Sequence, residues 1–346
     1  MRGVGLVGAF GTTPEALRAA LADPPRPGER GALTAETARL EEFVSRRELR
    51  RVDHFSRLAL LGAHLALADA GAGAEPRDRL AVVVATGYGP VATTFGFLDS
   101  VIDGGDACAS PTHFSNSVHN AAAAHVSILL GATGPSLTVS QFELSTASAL
   151  VTARQWLAEG RVDAVLFGAV DEHCGVREYC WERSFGPPKE EPPAPLDLDR
   201  QSAVPGEGAA FLLLTRDEGA SPACGFVEAV EAGPRRRRAL ELPEGAAVVL
   251  GADGHRRCAA GYRRLVPAGT PVAAWAAAYG STPAGAGLDL AAAALCLRDG
   301  RALPTPSSPA GPWPVLAGGE VLAGRPLCCL KVGWDGAWGL VTLRKG

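Results

Sequence analysis

Glu143 is the one formally charged side chain between positions 107 and 153, in a chain where 20% of residues are charged. At that density 47 residues would carry about nine charges, so a lone carboxylate kept in this run is the first candidate for chemistry. It stands just ahead of Leu144 to Ala158, a largely uncharged segment that reads as a helix. A carboxylate there can accept hydrogen bonds at the positive end of the helix dipole, or it can serve as a base. His113, His119 and His125 fall in the same run. Their i, i+6, i+12 spacing is not the i, i+4 pairing of a helical metal site, and Glu143 is the only carboxylate nearby. They read as buried or interface histidines hydrogen-bonded to backbone, and no metal is expected.

Eight cysteines, at 108, 174, 180, 224, 258, 296, 328 and 329, form no Cys-x-x-Cys pair and fit neither a zinc site nor a disulfide framework. They read as thiols of a reducing compartment. Gly206-Glu207-Gly208 lacks the G-x-G-x-x-G spacing of a dinucleotide site, there is no phosphate-binding loop, and no cofactor is expected. Two basic clusters, Arg46, Arg47, Arg50 and Arg51 and then Arg235 to Arg238, read first as solvated surface and second as docking points for an acidic partner.

The 346 residues carry 33 Lys or Arg against 37 Asp or Glu, a net charge of -4, with 47% hydrophobic residues. That is no disordered chain, and a pI near 6.0 argues against the broad basic surface of a nucleic-acid binder. Only three of the basic residues are lysine, Lys189, Lys331 and Lys345, a bias given no functional weight. The N-terminal sequence lacks the apolar core of a signal peptide. The uncharged runs 107–142 and 265–288 are broken by Pro, Gly and polar residues, so they are not membrane spans. A soluble, cytoplasmic protein is expected.

The elements that must position these residues alternate. Thr12-Thr13-Pro14-Glu15 carries helix start signals, and residues 56 to 70 have helical apolar spacing ending at Gly71. LAVVVA (80–85), AVLFGAV (164–170), Ala209 to Leu214, Phe226 to Val230, Ala247 to Leu250, Leu327 to Lys331 and Gly339 to Leu343 read as strands. Ala121 to Leu130 and Leu288 to Leu297 read as helices, the first apolar on most faces and therefore buried. Strands apolar on both faces alternating with helices predict a sheet covered on both sides. GPPKEEPPAP (186–195) is expected to be an exposed loop, and a break at Asp217 to Cys224 divides the chain into 1–216 and 225–346.

From residue 134 the sequence resembles a known family. GPSLTVSQFELSTASAL (134–150), LAEGRVDAVLFGAVDE (157–172), LDLDRQSAVPGEGAAFLLL (196–214) and, upstream, RRVDHFSRLALLGAHLALADAG (50–71) are similar, in order, to motifs of the β-ketoacyl synthases. These are the condensing enzymes of fatty-acid and polyketide assembly. The likeness is good over roughly 1–215 and weak over 225–346. It implies the α/β thiolase-like fold, αβαβα layers in two related halves, with the C-terminal half shortened.

The same resemblance implies changed chemistry. Counted from Gly134-Pro135-Ser136, the family's nucleophilic cysteine position holds Glu143. In VVLGADGHR (248–256) the position of the first histidine holds Asp253, with His255 two places on. In Gly280-Ser281-Thr282 the second histidine is replaced by Ser281, and the nearby lysine by Ala276. The closing Gly-Phe-Gly-Gly loop becomes Gly333-Trp334-Asp335-Gly336, which puts Trp334 at a gating position. Phe142 and Glu143 would line the substrate channel.

Four altered positions resemble the chain-length-factor-like subunits of type II polyketide and aryl-polyene-type systems, whose N-terminal segment FSNSVHNAAAAHVSI (114–128) resembles. The implied function is a catalytically inactive subunit that heterodimerises with an active ketosynthase and shapes the channel of an acyl chain held on an acyl carrier protein. His119, Asn120, Thr138 and Val139 would lie at the interface, within an uncharged stretch that buries against the partner. The alternative is a homodimeric enzyme using Glu143 for malonyl-carrier-protein decarboxylation or for acyl transfer or hydrolysis.

Overall fold

The structure is a computed structural model that describes residues 1–28, 31–72, 77–187, 189–216, 224–236, 238–306 and 311–346. The helices are α1 (Pro14–Ala22), α2 (Arg46–Leu49), α3 (His54–Asp69), α4 (Val91–Gly104), α5 (Pro111–Asn116), α6 (Ala121–Leu130), α7 (Ser145–Ala158), α8 (Gly175–Phe185), α9 (Arg256–Leu265) and α10 (Gly285–Asp299). The N-terminal strands are β1 (Gly3–Val7), β2 (Leu80–Thr86), β3 (Ser136–Ser140), β4 (Ala164–Asp171) and β5 (Gly208–Thr215). The C-terminal strands are β6 (Phe226–Gly233), β7 (Ala247–Leu250), β8 (Val272–Ala273), β9 (Leu327–Val332) and β10 (Trp338–Arg344).

Among the described residues these strands make two five-stranded sheets, ordered β1-β5-β4-β2-β3 and β6-β10-β9-β7-β8. Counted from its own first strand, each half has the order 1-5-4-2-3. In each, two antiparallel pairings are followed by two parallel ones. The halves are therefore related by topology. Helices α3 and α6 cover the outer face of the first sheet, α7 and α10 lie between the sheets, and α9 packs outside the second. This is the thiolase-like αβαβα arrangement.

The middle layer shows why α10 is built mainly from small and apolar residues. Twelve of the fifteen residues of α10 are buried, most of them Ala, Leu or Gly. A helix buried on all faces between two sheets has no side on which a charge meets water. The glycines of the sheet serve packing in the same way. A Cβ added at Gly168 of β4 would stand 2.2 Å from the Phe211 ring, which is fully buried in β5. Gly168→Ala is therefore expected to destabilise the fold by about 1–3 kcal/mol through overpacking, read from the midpoint of urea unfolding. An unchanged midpoint would mean that the ring moves aside freely.

Two expectations need correction. Helix α6 is not buried on all faces: Ile128 is 74% exposed, and elsewhere in the uncharged run 107–153, expected to bury against a partner, Phe114 is 62% and Val151 47% exposed. The physical reason is that β3 is an edge strand of its sheet, so among the described residues the apolar side chains beside it are left partly uncovered. Segment 186–195 lacks regular structure where described, yet Pro193 and Pro195 are buried rather than exposed. Pro188, and residues 217–223 of the expected break, lie outside the described residues. Sequence patterning also passes over α4, α5, α8 and α9. Arginines at 256, 257, 263 and 264 mask the apolar face of α9, where Cys258, Ala259, Tyr262 and Leu265 are buried, while α8 buries no residue fully.

Candidate functional site

The site is built on a tight turn between β3 and α7. After Ser140 the chain makes a short 3-10 turn, Phe142–Leu144, and Phe142 takes φ +47°, a left-handed conformation that is strained for a bulky residue. Ser145 pins the turn: its hydroxyl accepts the N–H of Gln141 at 2.7 Å and lies 2.7 Å from the Phe142 carbonyl and 2.8 Å from that of Thr86. The turn is thus tied to the end of β2 and aims Glu143 between the two sheets. Phe142 itself is exposed, its ring edge-on to Tyr88 at 5.7 Å.

Glu143 is half-buried, and a Cβ at Gly333 would sit 3.5 Å from its Oε2. Burial pushes its carboxyl up from the ordinary range. Its own backbone N–H and the Lys331 charge oppose this, while the charges of Asp253 and Asp335 add to it. A cavity of about 20 Å³ behind it is lined by Thr146, Asp289, Cys329 and Lys331 among others. That is room for about one water.

Asp253, Ser281 and Lys331 come together from the loop after β7, the turn before α10, and β9. Lys331 Nζ donates to Asp253 Oδ2 at 2.9 Å and to the Gly251 carbonyl at 2.8 Å, and the Ser281 hydroxyl donates to the same Asp253 oxygen at 2.9 Å. All three side chains are buried. Burial opposes both charges, but the pair overcomes it. The Lys331 charge, with the hydrogen bonds from Lys331 and Ser281, holds Asp253 below the usual carboxylate range, and Asp253 holds Lys331 above the usual lysine range. Ala276 is buried in a 3-10 turn and brings no charge. The cation paired with Asp253 is instead Lys331, a residue that composition alone treats as background. Behind it, the Tyr279 hydroxyl donates to Asp289, whose carboxyl burial pushes up to about 7.

In front of Glu143 opens a second cavity of about 430 Å³. Tyr88, Phe95, Trp181, Phe185 and Trp334 form much of its wall, and Glu143, Asp253, His255 and Ser281 line it as well. The wall comes largely from α8 and from Trp334, which stands edge-on to His255 at 5.3 Å and to Phe185 at 5.6 Å. Such a cavity accepts a small or slender apolar ligand with a few polar anchors. Trp181, Phe185, Gln201 and Lys331 are missed by motif reading. An aromatic pair four apart on α8 was the available signal for the first two.

Asp171, at the end of β4, joins the two walls of the site. Its buried carboxylate accepts from the Thr86 hydroxyl at 2.8 Å and from the backbone N–H groups of Gly87, Tyr88 and Ala284. Glu207 has a similar part nearby, accepting from Ala35 N–H, His173 N–H and His54. Its glycine-flanked motif is structural.

The remaining sequence candidates lie apart from the cavity. Thr138 and Val139 are half-buried in the edge strand β3. His119 and Asn120 are exposed before α6, with His119 packed against Gly89. His125 pairs with the Asn116 side chain at 3.0 Å. Arg46 is paired with Glu41, Arg236 lies over Trp338, and Arg237 is outside the described residues.

Residues 15–220 match the family model described as Beta-ketoacyl synthase, N-terminal domain. The chain is 33% identical over 196 residues to the provisionally named polyketide beta-ketoacyl synthase 1 of Streptomyces virginiae, covering 53% of this chain and 46% of that one. It is 29% identical over 200 residues to Nodulation protein E of a Rhizobium strain, covering 56% and 49%. The match thus spans about half the length of these curated relatives. Among solved structures, the ishigamide ketosynthase/chain length factor superposes with a TM-score of 0.81 at 18% identity, covering 100% of this chain and 98% of that one. A type II PKS ketosynthase solved in complex with its acyl-carrier protein gives 0.77 at 16%, with coverage of 100% and 98%. At such identities the likeness is one of fold. No described helix is long and apolar enough to cross a membrane.

Proposed function

This chain belongs to the β-ketoacyl synthase family, and we propose that within it the chain is a non-condensing, chain-length-factor-like subunit. It pairs with an active ketosynthase and shapes the channel for that partner's acyl chain on an acyl carrier protein. Condensation needs a thiolate to carry the acyl group, and neutral donors to hold the enolate oxygen formed on decarboxylation. Glu143 supplies no thiol at the turn. The observation that carries the reading is the closed set Ser281–Asp253–Lys331, in which an ion pair occupies the pocket beside Glu143. A carboxylate held ionised by a lysine repels a developing oxyanion and does not stabilise it.

The partner reading is supported by the open edge of β3 together with exposed Phe114, Val118, Ile128 and Val151 in one uncharged stretch. Stable interfaces bury apolar patches of this kind, and His119, Asn120, Thr138 and Val139 would lie at this one. The halves 1–216 and 225–346 would then act as one body that completes the partner's channel, with Trp334 at its gate.

One observation favours a second reading. Glu143 borders the large cavity with its carboxyl pushed up by burial, as suits a base or acid in a homodimeric decarboxylase or acyl hydrolase. The two readings separate on purification. The chain alone is expected to give no malonyl-carrier-protein turnover above background. With a Cys-His-His ketosynthase it is expected to run as a 1:1 complex and to be required for normal product length. Turnover by the chain alone, lost in Glu143→Ala, would overturn the subunit reading in favour of the second.

A further inference from the structure

We propose that His255 is a ligand-binding donor, anchoring a carbonyl oxygen of a neutral apolar acyl group held in the 430 Å³ cavity. This rests on the acyl-channel reading above and adds a specific recognition point to it.

The hydrogen bonds around Gln201 decide the tautomer. Gln201 Oε1 accepts the N–H of Arg256 at 3.0 Å, which turns its Nε2 toward His255 Nδ1 at 3.1 Å. An amide nitrogen only donates, so Nδ1 is the acceptor and the imidazole proton resides on Nε2. That Nε2–H has no hydrogen-bond partner among the described residues, and the ring lines the cavity. Burial is the largest influence favouring the neutral ring. The charges of Lys331 and Lys189 assist it and that of Asp253 opposes it.

Packing fixes where the donor points. The His255 ring lies 4.7 Å from Phe185, 5.2 Å from Trp181 and 5.3 Å from Trp334, inclined to each by more than 50°. A preset donor packed among three aromatic rings of a largely apolar wall favours ligands that bring an acceptor to it and discriminates against those that do not. The rest of the wall favours a neutral ligand. Asp253 is neutralised by Lys331. The Arg177 guanidinium is engaged by the Glu172 carbonyl and lies over the Tyr88 ring at 4.8 Å. The chemistry that fits is therefore a thioester or ketone on an apolar chain.

The test compares two probes with the purified full chain, the octanoyl thioester of N-acetylcysteamine and its S-octyl thioether, which differ in the one carbonyl. Calorimetry should show the thioester bound about tenfold more tightly, as one neutral hydrogen bond allows. His255→Phe, which keeps a ring in the wall but no donor, should bring the ratio of the two affinities to about one. Gln201→Glu should also remove the preference, by drawing the proton to Nδ1. Nitrogen NMR should report the Nε2–H tautomer in the parent chain and its loss in Gln201→Glu. If both probes bind equally to the parent chain, the inference fails while the apolar channel stands. If neither binds, the channel reading fails and the inference with it.

Discussion

Lys331→Met is expected to destabilise the protein by about 3–5 kcal/mol at neutral pH, because it strands the Asp253 carboxylate in the interior with only the Ser281 hydroxyl and a neutral His255 beside it. The cost follows from removing one partner of the pair, not from the pair's net worth, so the double variant Lys331→Met with Asp253→Asn should recover most of the loss. The pH dependence has a definite sign. In the parent chain Asp253 titrates below its unfolded value, so its contribution is present above about pH 4 and is lost as pH falls through the lower folded value. Lys331 titrates above its unfolded value. Its contribution is complete below about pH 10 and is lost as alkaline pH passes the folded value. In Lys331→Met, Asp253 is buried without a cation and takes up a proton more readily than when unfolded. The gap between parent and variant should then narrow from pH 7.5 to pH 5. Urea unfolding at both values measures it. A gap under about 1 kcal/mol at pH 7.5 would show the pair to be solvated.

Asp171→Asn is the second large expectation. It keeps the shape but exchanges one accepting oxygen for an NH₂ group. The Asp171 Oδ1 edge meets Thr86, Gly87 and Tyr88, and its Oδ2 edge meets Gly87 and Ala284. Either amide orientation sets a donor against a buried backbone N–H. A loss of about 2–4 kcal/mol follows, within the range for stranding buried donors of a charge-assisted network. The loss should be local first, because Asp171 ties the 86–88 turn to the start of α10. Hydrogen exchange at Gly87, Tyr88 and Ala284 should quicken more than at the sheet centre. Uniform exchange across the chain would instead mark Asp171 as one more global contact. Because Ser281 lies in the segment this carboxylate fastens, the variant would also loosen the Ser281–Asp253 hydrogen bond.

The strand and helix order was legible where the signal is local. Val82, Val83 and Val84 in an unbroken apolar run give a strand buried on both faces, as β2 is. Small and apolar residues in long runs give α7 and α10 as helices. The position of Glu143 was legible too, since Gly134-Pro135-Ser136 sets its distance from the start of β3. By contrast, α8 buries no residue fully, and its charged residues Arg177, Glu178, Glu182 and Arg183 dilute the apolar side on which Trp181 and Phe185 stand. It escapes a reading by hydrophobic pattern, though it carries Trp181 and Phe185 to the cavity wall. The neutrality of 107–153 was legible as avoidance of charge. It did not say whether this chain or another covers the run, and α6 and β3 are left partly open.

What the sequence by itself determined is therefore the layered fold and the place of Glu143, a carboxylate, at the turn after β3, both set by residues close together along the chain. Only the tertiary structure decided the electrostatics of the site. Lys331 lies in an apolar strand, 78 residues from Asp253, and nothing in its neighbourhood along the chain announces a partner. A buried charge is tolerable only where an opposite charge reaches it, and that meeting depends on β9 pairing with β7 to bring the two side chains into one pocket. The tautomer of His255 is decided in the same way, by a glutamine 54 residues away. Periodicity and capping act over a few residues, whereas charge pairing and proton placement act across whatever the fold brings within 3 Å.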